Sequence, residues 1–552
     1  MNYTIEKVTT LIGARRYGDT DANISFVLTD SRSLCFPEET LFFALKTERN
    51  DGHNYIPELY ARGVRNFVVE VVPDNWETLY SGSNFLKVVG SLEALQRLAE
   101  RHRDEFLIPI VGITGSNGKT MVKEWLYQLL SPQMVVTRSP RSYNSQIGVP
   151  LSVWLLNENT QVGVFEAGIS KPGEMMALRD IIQPTIGVFT SLGTAHQENF
   201  PSIEAKCMEK LCLFHDTKAI VYSMDDDILT HCLAQYNYQG EQLSWSIKHT
   251  DAAFYIKSIE KKDIETTVTY TWKGGKEAQY KLPFIDDASV ENSITCAVVA
   301  LHLGVTQAAL AERMAQLEPV AMRLEVKEGQ HGCTLINDSY NSDYNSLDIA
   351  LDFMNRRPDH KGRKRTLILS DILQSGEEDK ELYNKVAFLC EKRGVNKFIG
   401  IGEGLLAERN AFKHLGEKHF FATINAFIHS EEFTNLHDEV ILLKGARQFG
   451  FDHLTELLVK KVHETVLEVN LNAVVDNLNW YRSFMKPETK LVCMIKADAY
   501  GAGAVEIAKT LQDHRVDYLA VAVADEGVTL RKNGITSNIM IMNPEMSSFK
   551  TL

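Results

Sequence analysis

The clearest chemical feature of the sequence is a seven-residue string, Thr114-Gly115-Ser116-Asn117-Gly118-Lys119-Thr120. It follows the apolar run IPIVGIT and precedes the amphipathic run TMVKEWLYQLL, so we predict a loop between a buried strand and a helix. Backbone N–H groups of such a loop can hold phosphate together with the helix N-terminus. Lys119 would neutralise phosphate charge, and the Thr120 hydroxyl would ligate Mg²⁺. The strict GxxxxGK[ST] pattern is not met because residue 113 is Ile, but a TGxxGK[ST] string arises by chance in about one such chain in a thousand.

Three residues that lie later in the sequence, Glu166, His196 and Lys210, could complete a metal site. Glu166 ends the strand-like run QVGVFEAG, which places it where the carboxyl edge of a parallel sheet meets the phosphate loop, although a helix N-cap is an equally good interpretation. His196 follows another strand-like run, GVFTSLGTAH, and Lys210 lies fourteen residues later. A lysine ammonium offers donors and no acceptor, so Lys210 would have to be carbamylated to ligate Mg²⁺.

These residues belong to a long chain with an average globular composition. Its 552 residues suggest three or four domains, and 44% hydrophobic with 24% charged residues exclude disorder and fibres. The formal charge of −14 does not favour a broad nucleic-acid surface. Eight scattered cysteines without CxxC spacing indicate reduced thiols. Without a signal peptide or a long apolar run, we expect a cytoplasmic protein with no membrane insertion.

The elements that would position these residues alternate as strands and helices throughout. A small α/β domain with the strand-like runs NISFVLTD, TLFFAL and NFVVEVV comes first, and the parallel-sheet pattern around the phosphate loop follows it. A third module has the strand-like runs CTLIND, TLILSD, KFIGIG and EVILLKG. A new alternation then starts at VLEVNL and continues with LVCMIKAD, YLAVAVAD and NIMIMNP. We predict domains at residues 1–105, 106–318, 319–460 and 462–552.

The motifs TGSNGKT, SYNSQIGVPLS, FEAG and SLGTAHQENF, followed by Lys210, resemble in this order the ATP-dependent Mur ligases of peptidoglycan assembly. The resemblance covers about residues 25–455. It is closest to the type that joins D-alanyl-D-alanine to UDP-N-acetylmuramoyl-tripeptide. It implies a three-domain α/β fold: a UDP-binding domain, a P-loop ATPase domain with a parallel sheet, and a Rossmann-like C-terminal domain. It also implies that Thr120, Glu166, His196 and a carbamylated Lys210 hold Mg²⁺. Lys206 is a second lysine candidate, but the spacing favours Lys210.

Three further segments extend the resemblance. TDSRSLCFPEETLFFALKTERNDGH is similar to the uridine-nucleotide domain, which makes Asp30, Ser31, Arg32, Asp51, Gly52 and His53 candidates for binding the nucleotide sugar. AMRLEV and INDSYNSDYNS resemble GRxEV and DDSYNANPxS. Arg323 would then face the transferred phosphate, Asp338 the ATP ribose or metal, and Asn341 the substrate. ILLKGARQFGF resembles KGSR, so Lys444 and Arg447 are candidates for carboxylate or phosphoryl contacts.

The sequence departs from the family pattern at three places. DDASVENS stands where the family has GxHN, so Asn292 remains as an ATP-binding candidate but the adenine contacts before it are in doubt. KGAR replaces KGSR, and SDYNS replaces NPxS. We therefore expect local remodelling of dipeptide recognition, while the inferred metal ligands are unchanged.

The tail resembles a different family. VLEVNLNAVVDNLNWYR and KLVCMIKADAYGAGA are similar to the start of an alanine racemase, a pyridoxal-phosphate barrel enzyme. Lys496 then matches the lysine that forms the Schiff base and Tyr500 a tyrosine near the cofactor phosphate, while Ala502 replaces the His of AYGHG. Residues 462–552 are 91 residues, against about 250 for a whole barrel, so we expect a truncated segment without productive cofactor binding or racemase activity. A complete racemase part would be expected to dimerise.

The expected reaction passes the γ-phosphate of ATP to the terminal carboxylate of the tripeptide. The free amine of D-alanyl-D-alanine then attacks the acyl phosphate. Two alternatives stay open: a Mur or folylpolyglutamate-type ligase that adds a single amino acid, and a non-catalytic nucleotide-binding module.

Overall fold

The computed structural model describes residues 3–549 with short gaps. The positions outside the description are 35, 48–49, 141, 194–196, 263–264, 321–323, 340–341, 357–361, 374–376, 447–448, 461–467 and 487, with the side chains of 345, 356, 472 and 547. Within the described residues, no helix is both long and apolar enough to cross a bilayer.

The N-terminal region, residues 3–106, has two sheets with helices against them. Its strands are β1 (Tyr3–Thr4), β2 (Arg15–Tyr17), β3 (Asn23–Ile24), β4 (Phe26–Leu28), β5 (Thr40–Phe43), β6 (Asn66–Val69) and β7 (Asn84–Lys87). Its helices are α1 (Ile5–Ile12), α2 (Ile56–Ala61), α3 (Trp76–Leu79) and α4 (Ser91–Arg103), with single 3₁₀ turns at Ser31–Ser33 and Gly52–Tyr55. The larger sheet has the order β2-β7-β6-β5-β4 and is parallel except for β2.

The middle region, residues 110–318, is built on a nine-stranded sheet. The strands are β8 (Ile110–Thr114), β9 (Val136–Arg138), β10 (Val162–Glu166), β11 (Ile186–Phe189), β12 (Ala219–Ser223), β13 (Glu241–Ser246), β14 (Phe254–Lys262), β15 (Glu265–Trp272) and β16 (Glu277–Leu282). The helices are α5 (Lys119–Leu130), α6 (Gly148–Val153), α7 (Glu174–Ile182), α8 (Ile203–Leu211), α9 (Asp227–Tyr236), α10 (Asp287–His302) and α11 (Gln307–Met314).

The order of the strands in this sheet determines which strand ends lie beside the phosphate loop. The strands run β16-β15-β14-β13-β12-β11-β8-β10-β9, parallel from β9 to β14 and antiparallel beyond. The strand before the phosphate loop, β8, lies between β10 and β11, so the carboxyl ends of all three meet at one edge. Ligands of parallel α/β sheets bind at such an edge. Val111, Ile113 and Val164 are fully buried, as expected for strands covered on both faces.

Helix α5 connects the phosphate loop to the end of the middle region. The Trp125 indole N–H donates to the Glu318 carbonyl at 2.9 Å, and the Glu318 N–H donates to the Gln128 side chain at 2.9 Å. Arg313 also donates to the Leu129 carbonyl. Residues 313–318 are therefore fixed to α5 immediately before the chain leaves for the third region.

The third region, residues 324–460, contains one six-stranded sheet. Its strands are β17 (Glu325–Glu328), β18 (Thr334–Asp338), β19 (Lys364–Ser370), β20 (Lys397–Ile401), β21 (Glu417–Phe421) and β22 (Glu439–Lys444). Its helices are α12 (Tyr344–Arg356), α13 (Asp379–Lys392), α14 (Glu403–Ala407), α15 (Ile424–Ile428), α16 (Glu431–Thr434) and α17 (Phe451–Leu458). The order is β17-β18-β22-β19-β20-β21, and only β17 is antiparallel to its neighbour.

The C-terminal segment, residues 468–549, has three parallel strands in the order β23-β24-β25. These are β23 (Val492–Met494), β24 (Tyr518–Val521) and β25 (Asn538–Ile541), with helices α18 (Leu471–Arg482), α19 (Lys496–Gly501), α20 (Ala504–Asp513) and α21 (Ala524–Lys532). In α19 the backbone of residues 497–500 has φ between 51° and 60°, so this turn is left-handed.

Most predicted strands are present, with one error. The run VLEVNL was predicted to start the last alternation as a strand, but Glu468–Asn470 is not a strand and Leu471 begins α18. The first two residues of that run lie outside the described residues. The predicted α/β class, with parallel sheets and a last segment of alternating strands and helices, is confirmed.

Candidate active site

The phosphate loop follows β8 and turns into α5 through two glycines with positive φ. Gly115 has φ +141° and Gly118 has φ +85°, conformations that L side chains rarely adopt. A Cβ on Gly118 would lie 2.4 Å from Oδ1 of Asn292, so the Asn292 side chain lies directly against the loop. The sequence-predicted loop and Asn292 are thus brought together, and the N-terminus of α5 faces the same space.

Lys119 is the first residue of α5, and its side chain folds back over the loop. Its Nζ donates to the carbonyls of Gly115 at 2.7 Å and Ser116 at 2.9 Å. A cation held in this way within the loop is placed to neutralise the charge of a bound phosphate.

Thr120 and Glu166 meet as the sequence predicts. The Thr120 hydroxyl donates to Oε2 of Glu166 at 3.1 Å, and the Ser142 hydroxyl lies 3.3 Å from that of Thr120. Asn144 also donates to Glu166 Oε2, at 3.5 Å. Glu166 is fully buried at the end of β10, so its carboxylate needs positive charge close by.

Lys123 supplies such a charge, and sequence reasoning did not identify it. Its Nζ lies 3.2 Å from Oε1 of Glu166 and 2.9 Å from Glu124, and the Lys123 side chain is 0% exposed. It lies one helical turn after Thr120, on the same face of α5 as the Thr120 hydroxyl. That i, i+3 spacing from a predicted metal ligand was the available indication.

Lys210 lies under the same loop. Its Nζ donates to the Gly115 carbonyl at 3.2 Å, and the residue is only 4% exposed. Burial lowers the pKa of the Lys210 amine well below its ordinary value, and the nearby charges of Lys119 and Lys206 lower it further. Lys206 is also buried and donates to the Gly193 carbonyl. Burial lowers its pKa to about 8, against an opposing effect of Asp343.

A cavity of about 450 Å³ opens in front of the loop. Its lining includes residues 115–121, Asn144, Glu174 and Lys210 from the middle region and Leu92 from α4 of the N-terminal region. The Gln96 amide donates to the Gln146 side chain at 2.9 Å beside this cavity. The cavity is therefore walled by both regions, which lets one ligand contact the phosphate loop and the N-terminal region together.

The residues present fit a hard divalent cation. Oε1 of Glu166 is buried with Lys123 Nζ 3.2 Å away, but it accepts no hydrogen bond from the described residues, so this carboxylate oxygen has a lone pair available to a metal ion. The Thr120 hydroxyl beside it is the oxygen type that Mg²⁺ prefers. Within the described part of the chain, no three His, Cys, Asp or Glu side chains converge on one point. His196, the fourth predicted ligand, lies outside the described residues.

The nucleotide-sugar candidates lie at the carboxyl edge of the N-terminal sheet. Asp30 follows β4, and its carboxylate accepts two hydrogen bonds from the 87% exposed Arg32 guanidinium, at 2.9 and 2.7 Å. Ser31, between them, is buried. This arrangement leaves the outer face of Arg32 open to solvent. The second motif, Asp51-Gly52-His53, follows β5, and because β4 and β5 are adjacent parallel strands it lies at the same edge of the sheet.

The Asp51-Gly52-His53 motif is held in place by hydrogen bonds of the His53 ring and by close backbone packing at Gly52. His53 Nδ1 lies 2.6 Å from Asp51, and its Nε2 accepts the Glu70 backbone N–H at 3.1 Å. The backbone hydrogen bond of His53 to Asp51 lowers the pKa of the Asp51 carboxyl. A Cβ on Gly52 would lie 2.7 Å from the Leu45 nitrogen, which explains the glycine.

In the third region the structure pairs two of the candidates. Lys444 Nζ lies 2.8 Å from Oδ2 of Asp338, and both are buried at the ends of the adjacent strands β22 and β18. Asp338 and Lys444 therefore form one unit, whereas the sequence prediction gave them separate roles. Three other candidates, Arg323, Asn341 and Arg447, lie outside the described residues.

Lys496 and Tyr500 share the left-handed turn after β23. Both are exposed, and the Lys496 amine lies 6.0 Å from the centre of the Tyr500 ring. The described residues of the C-terminal segment thus do not enclose a pyridoxal phosphate at Lys496, since both groups face solvent.

Family models match three parts of the chain. The Mur ligase family, catalytic domain, matches residues 23–103, and the Mur ligase middle domain matches residues 113–300. The alanine racemase, N-terminal domain, matches residues 469–551. Two consecutive parts of the chain are therefore similar to Mur ligase domains, and the last part is similar to the N-terminal domain of an alanine racemase.

Curated relatives agree with the first two matches. The UDP-N-acetylmuramoyl-tripeptide–D-alanyl-D-alanine ligase of Bacillus subtilis is 26% identical over 70% of this chain and 82% of its own length. The enzyme of the same name from Escherichia coli is 25% identical over 83% of this chain and 98% of its own length.

Solved structures show the same fold. MurF from Acinetobacter baumannii has a TM-score of 0.72 at 21% identity and covers 83% of this chain and 99% of its own. MurF ligase from Thermotoga maritima in complex with ADP has a TM-score of 0.66 at 23% identity, covering 78% of this chain and 96% of its own. These similarities establish the three-region Mur ligase fold for the first part of the chain.

Proposed function

We propose that this chain, which carries Mur ligase domains, is an ATP-dependent ligase that joins D-alanyl-D-alanine to UDP-N-acetylmuramoyl-tripeptide in peptidoglycan precursor synthesis. The observation that carries the proposal is the single cavity bordered by the phosphate loop, by Lys210 and by Leu92 of the N-terminal region. The relatives named for this reaction align over most of their lengths, and a Mur ligase family model matches residues 23–103, which precede the phosphate loop.

The reaction requires positioning and charge neutralisation more than covalent help from the protein. The γ-phosphate of ATP passes to the terminal carboxylate of the tripeptide and ADP leaves. The amine of D-alanyl-D-alanine then attacks the acyl carbon, and inorganic phosphate is released. In this scheme Lys119 exchanges its contacts with the Gly115 and Ser116 carbonyls for phosphate oxygens. Asn292 orients the nucleotide against the loop.

We assign Mg²⁺ to Thr120, Glu166, His196 and carbamylated Lys210. The ion would neutralise phosphate charge when bound. The Thr120–Glu166 hydrogen bond holds two of these groups together, and Ser142 and Asn144 contact the same pair. The buried, low-pKa Lys210 amine supports carbamylation, because carbon dioxide reacts with an uncharged amine.

The remaining roles follow the same assignment. Asp30, Ser31, Arg32, Asp51, Gly52 and His53 bind the uridine nucleotide at the edge of the N-terminal sheet. Arg323, Asn341 and Arg447 act with the Asp338–Lys444 pair when the third region closes on the nucleotide, which excludes water from the acyl phosphate. The enzyme works in the cytoplasm on small molecules.

The test is phosphate release from ATP and Mg²⁺ with UDP-N-acetylmuramoyl-tripeptide, in the presence and absence of D-alanyl-D-alanine. Release that requires both substrates and is lost in Lys119→Ala supports the proposal. Equal release with a single amino acid in place of the dipeptide would favour the single-amino-acid ligase. Nucleotide binding without release under any of these conditions would favour the non-catalytic module.

We propose no racemase activity for residues 468–549 by themselves. Lys496 and Tyr500 would be the residues to hold pyridoxal phosphate, but both are exposed. Racemisation of L-alanine by the 552-residue chain, supplied with pyridoxal phosphate, would contradict this.

A further inference from the structure

The reaction proposed above does not use a buried lysine that lies beside the predicted metal ligands. Lys123 of α5 is 0% exposed, and its Nζ lies 2.9 Å from Oε1 of Glu124 and 3.2 Å from Oε1 of Glu166. Taking an ammonium group out of water is unfavourable, so Lys123 is stable in this position only because carboxylates lie beside it. Lys123 is therefore a fixed positive charge at the Glu166 carboxylate.

Glu124 cannot by itself satisfy Lys123, because Glu124 is shared with a second cation. Its Oε2 accepts the Nε–H of Arg138 at 3.1 Å, and the Arg138 guanidinium stacks on the Tyr127 ring, 3.7 Å from the ring centre. The two carboxylates and the two cations, Glu124, Glu166, Lys123 and Arg138, have formal charges that sum to zero. The charge of Glu166 is thus offset within the protein before any ligand binds.

This balance disfavours a divalent cation that approaches without a nucleotide. The ion would meet a carboxylate whose charge is already offset and, nearby, the Lys119 ammonium that the loop carbonyls hold. In the part of the chain that the structure describes, no three His, Cys, Asp or Glu side chains converge to add negative charge. A carbamate on Lys210 would add one negative charge, and Lys119 contacts the same Gly115 carbonyl as Lys210. Proteins commonly hold Mg²⁺ with one or two carboxylates together with substrate phosphates.

We propose that Lys123 makes the metal site selective for a divalent cation that arrives with a nucleotide polyphosphate, by offsetting the charge of Glu166 in the nucleotide-free protein. Lys123 is then a positioning residue, which acts on the cation through Glu166. Nucleotide phosphates supply the negative charge that the protein lacks, so the cation and the nucleotide bind as one complex. The inference rests on the proposed function only for the cation–nucleotide site, and not for the acceptor substrates.

Mn²⁺ binding to the full chain tests this selectivity without catalysis. Electron paramagnetic resonance of unbound Mn²⁺ gives the affinity in the absence of nucleotide and in the presence of ADP. The wild type should bind Mn²⁺ at least about 10-fold more weakly without ADP. Lys123→Met removes the charge and keeps most of the side-chain length. It should tighten nucleotide-free binding by about 10-fold or more, because Glu166 loses its counter-ion. A merely structural role for Lys123 would weaken Mn²⁺ binding or leave it unchanged.

Further variants locate the effect. Glu166→Gln in the Lys123→Met background should remove the gain in affinity, because the carboxylate that Lys123 offsets is then gone. Lys123→Arg, which keeps the charge, should bind Mn²⁺ no more tightly than the wild type. The matched control is Lys218→Met, the same change at an exposed lysine of the middle region, and it should have wild-type affinities.

A second route covers a folding defect. If Lys123→Met does not fold, Lys123→Met combined with Glu124→Gln keeps the sum of the charges at zero and should show the same gain. Unchanged or weaker nucleotide-free Mn²⁺ binding in the variant that folds would overturn the proposal, as would a gain that persists after Glu166→Gln.

Failure of this inference is distinguishable from failure of the proposed function, because no acceptor substrate is present in the Mn²⁺ measurement. Phosphate release that requires both substrates, together with unchanged nucleotide-free Mn²⁺ affinity in Lys123→Met, would support the ligase and overturn the role of Lys123.

Discussion

Two lysines in this chain, Lys119 and Lys496, lie in short motifs that follow a strand, and they differ in what surrounds them. Lys119 follows β8, and its amine is bound by two loop carbonyls beside a cavity with Lys210, Glu174 and Asn144 in its wall. Lys496 follows β23, in a segment with three strands, and is exposed. The first of these strands, β8, pairs with a strand on each side, β10 and β11, whereas β23 pairs with β24 alone among the described strands.

The difference shows that a loop motif forms a site only when neighbouring strands place side chains against it. Glu166 ends β10 and Thr190 follows β11, and both contact the loop after β8, which lies between these strands. Preorganised groups of this kind do not have to be ordered when a substrate binds. The motif around Lys496 has such a contact from one side, since the Glu526 carboxylate after β24 accepts the Ala497 N–H at 2.7 Å, and the described sheet has no strand on the other side of β23.

The largest expected effect separates the two lysines directly. Lys119→Ala should lower ligase turnover by roughly 10²- to 10³-fold, because it removes a fixed cation from the phosphate. Lys496→Ala should leave the same turnover within about twofold. The measurement is phosphate release with both substrates. Comparable losses of turnover in Lys119→Ala and Lys496→Ala would contradict the view that only Lys119 lies in the ligase active site.

Lys210 provides the next test of the comparison. Lys210→Ala should reduce turnover by roughly 100-fold, and added acetate or propionate should restore part of it by replacing the carbamate oxygens. Lys218→Ala, an exposed lysine of the same region, is the control and should behave as the wild type. Absence of rescue at any carboxylate concentration would argue against the carbamate.

Two glycines with the same backbone conformation allow a finer test. Gly118 has φ +85° and Gly501 has φ +86°, but only Gly118 lies against a neighbour, Asn292 Oδ1, among the described atoms. Each Ala substitution should cost about 1–2 kcal/mol of unfolding free energy through backbone strain. Gly118→Ala should in addition weaken ADP binding, because Asn292 must move.

Denaturant unfolding and ADP titration on both glycine variants measure this. Equal ADP affinity in Gly118→Ala and Gly501→Ala would show that the close approach of Asn292 to Gly118 does not affect ADP binding.

The last test concerns the contact between the N-terminal region and the middle region, away from the phosphate loop. His102 is 2% exposed, receives the Tyr3 hydroxyl at Nδ1 and donates from Nε2 to the Leu156 carbonyl. Burial lowers its pKa to about 4 from an ordinary 6.5. Below pH 6.5 the unfolded chain binds a proton that the folded chain does not, so stability is full above 6.5 and falls as the pH drops towards 4.

The free energy of unfolding should therefore be lower by about 2 kcal/mol at pH 5 than at pH 7 because of this residue. Urea unfolding at both pH values, compared with His102→Gln, checks this. An unchanged pH slope in the variant would mean that His102 does not carry the effect.

Much of the active edge was predictable because it is local in sequence. The loop, Glu166 and Asn292 are identified by motifs, and parallel strands necessarily bring their carboxyl ends together. The hairpin extension β14–β16 was not predicted, since antiparallel additions at the end of a parallel sheet depend on tertiary packing. The strand assigned to VLEVNL was wrong because alternating apolar residues over six positions also suit the start of a helix.

Side-chain pairing was beyond sequence reasoning. Lys123 looks like a surface residue of an amphipathic helix, but the sheet edge encloses it between two carboxylates. Asp338 and Lys444 are about a hundred residues apart and pair only because β18 and β22 are neighbours. Motifs in the sequence therefore identified Asp338 and Lys444 as candidates but did not show that they pair with each other. The roles of His196, Arg323, Asn341 and Arg447 stay predictions.

Helix α5 has a mechanical consequence. One end carries the phosphate loop, and the other end is bonded through Trp125, Gln128 and Leu129 to residues 313–318, which lie shortly before the third region. Its 12 residues form a rod about 18 Å long. The segment that leads to the third region is thus bonded to the same helix that begins at the phosphate loop. In the closure proposed above, a displacement of residues 313–318 would move α5 and with it the loop proposed to hold the phosphates.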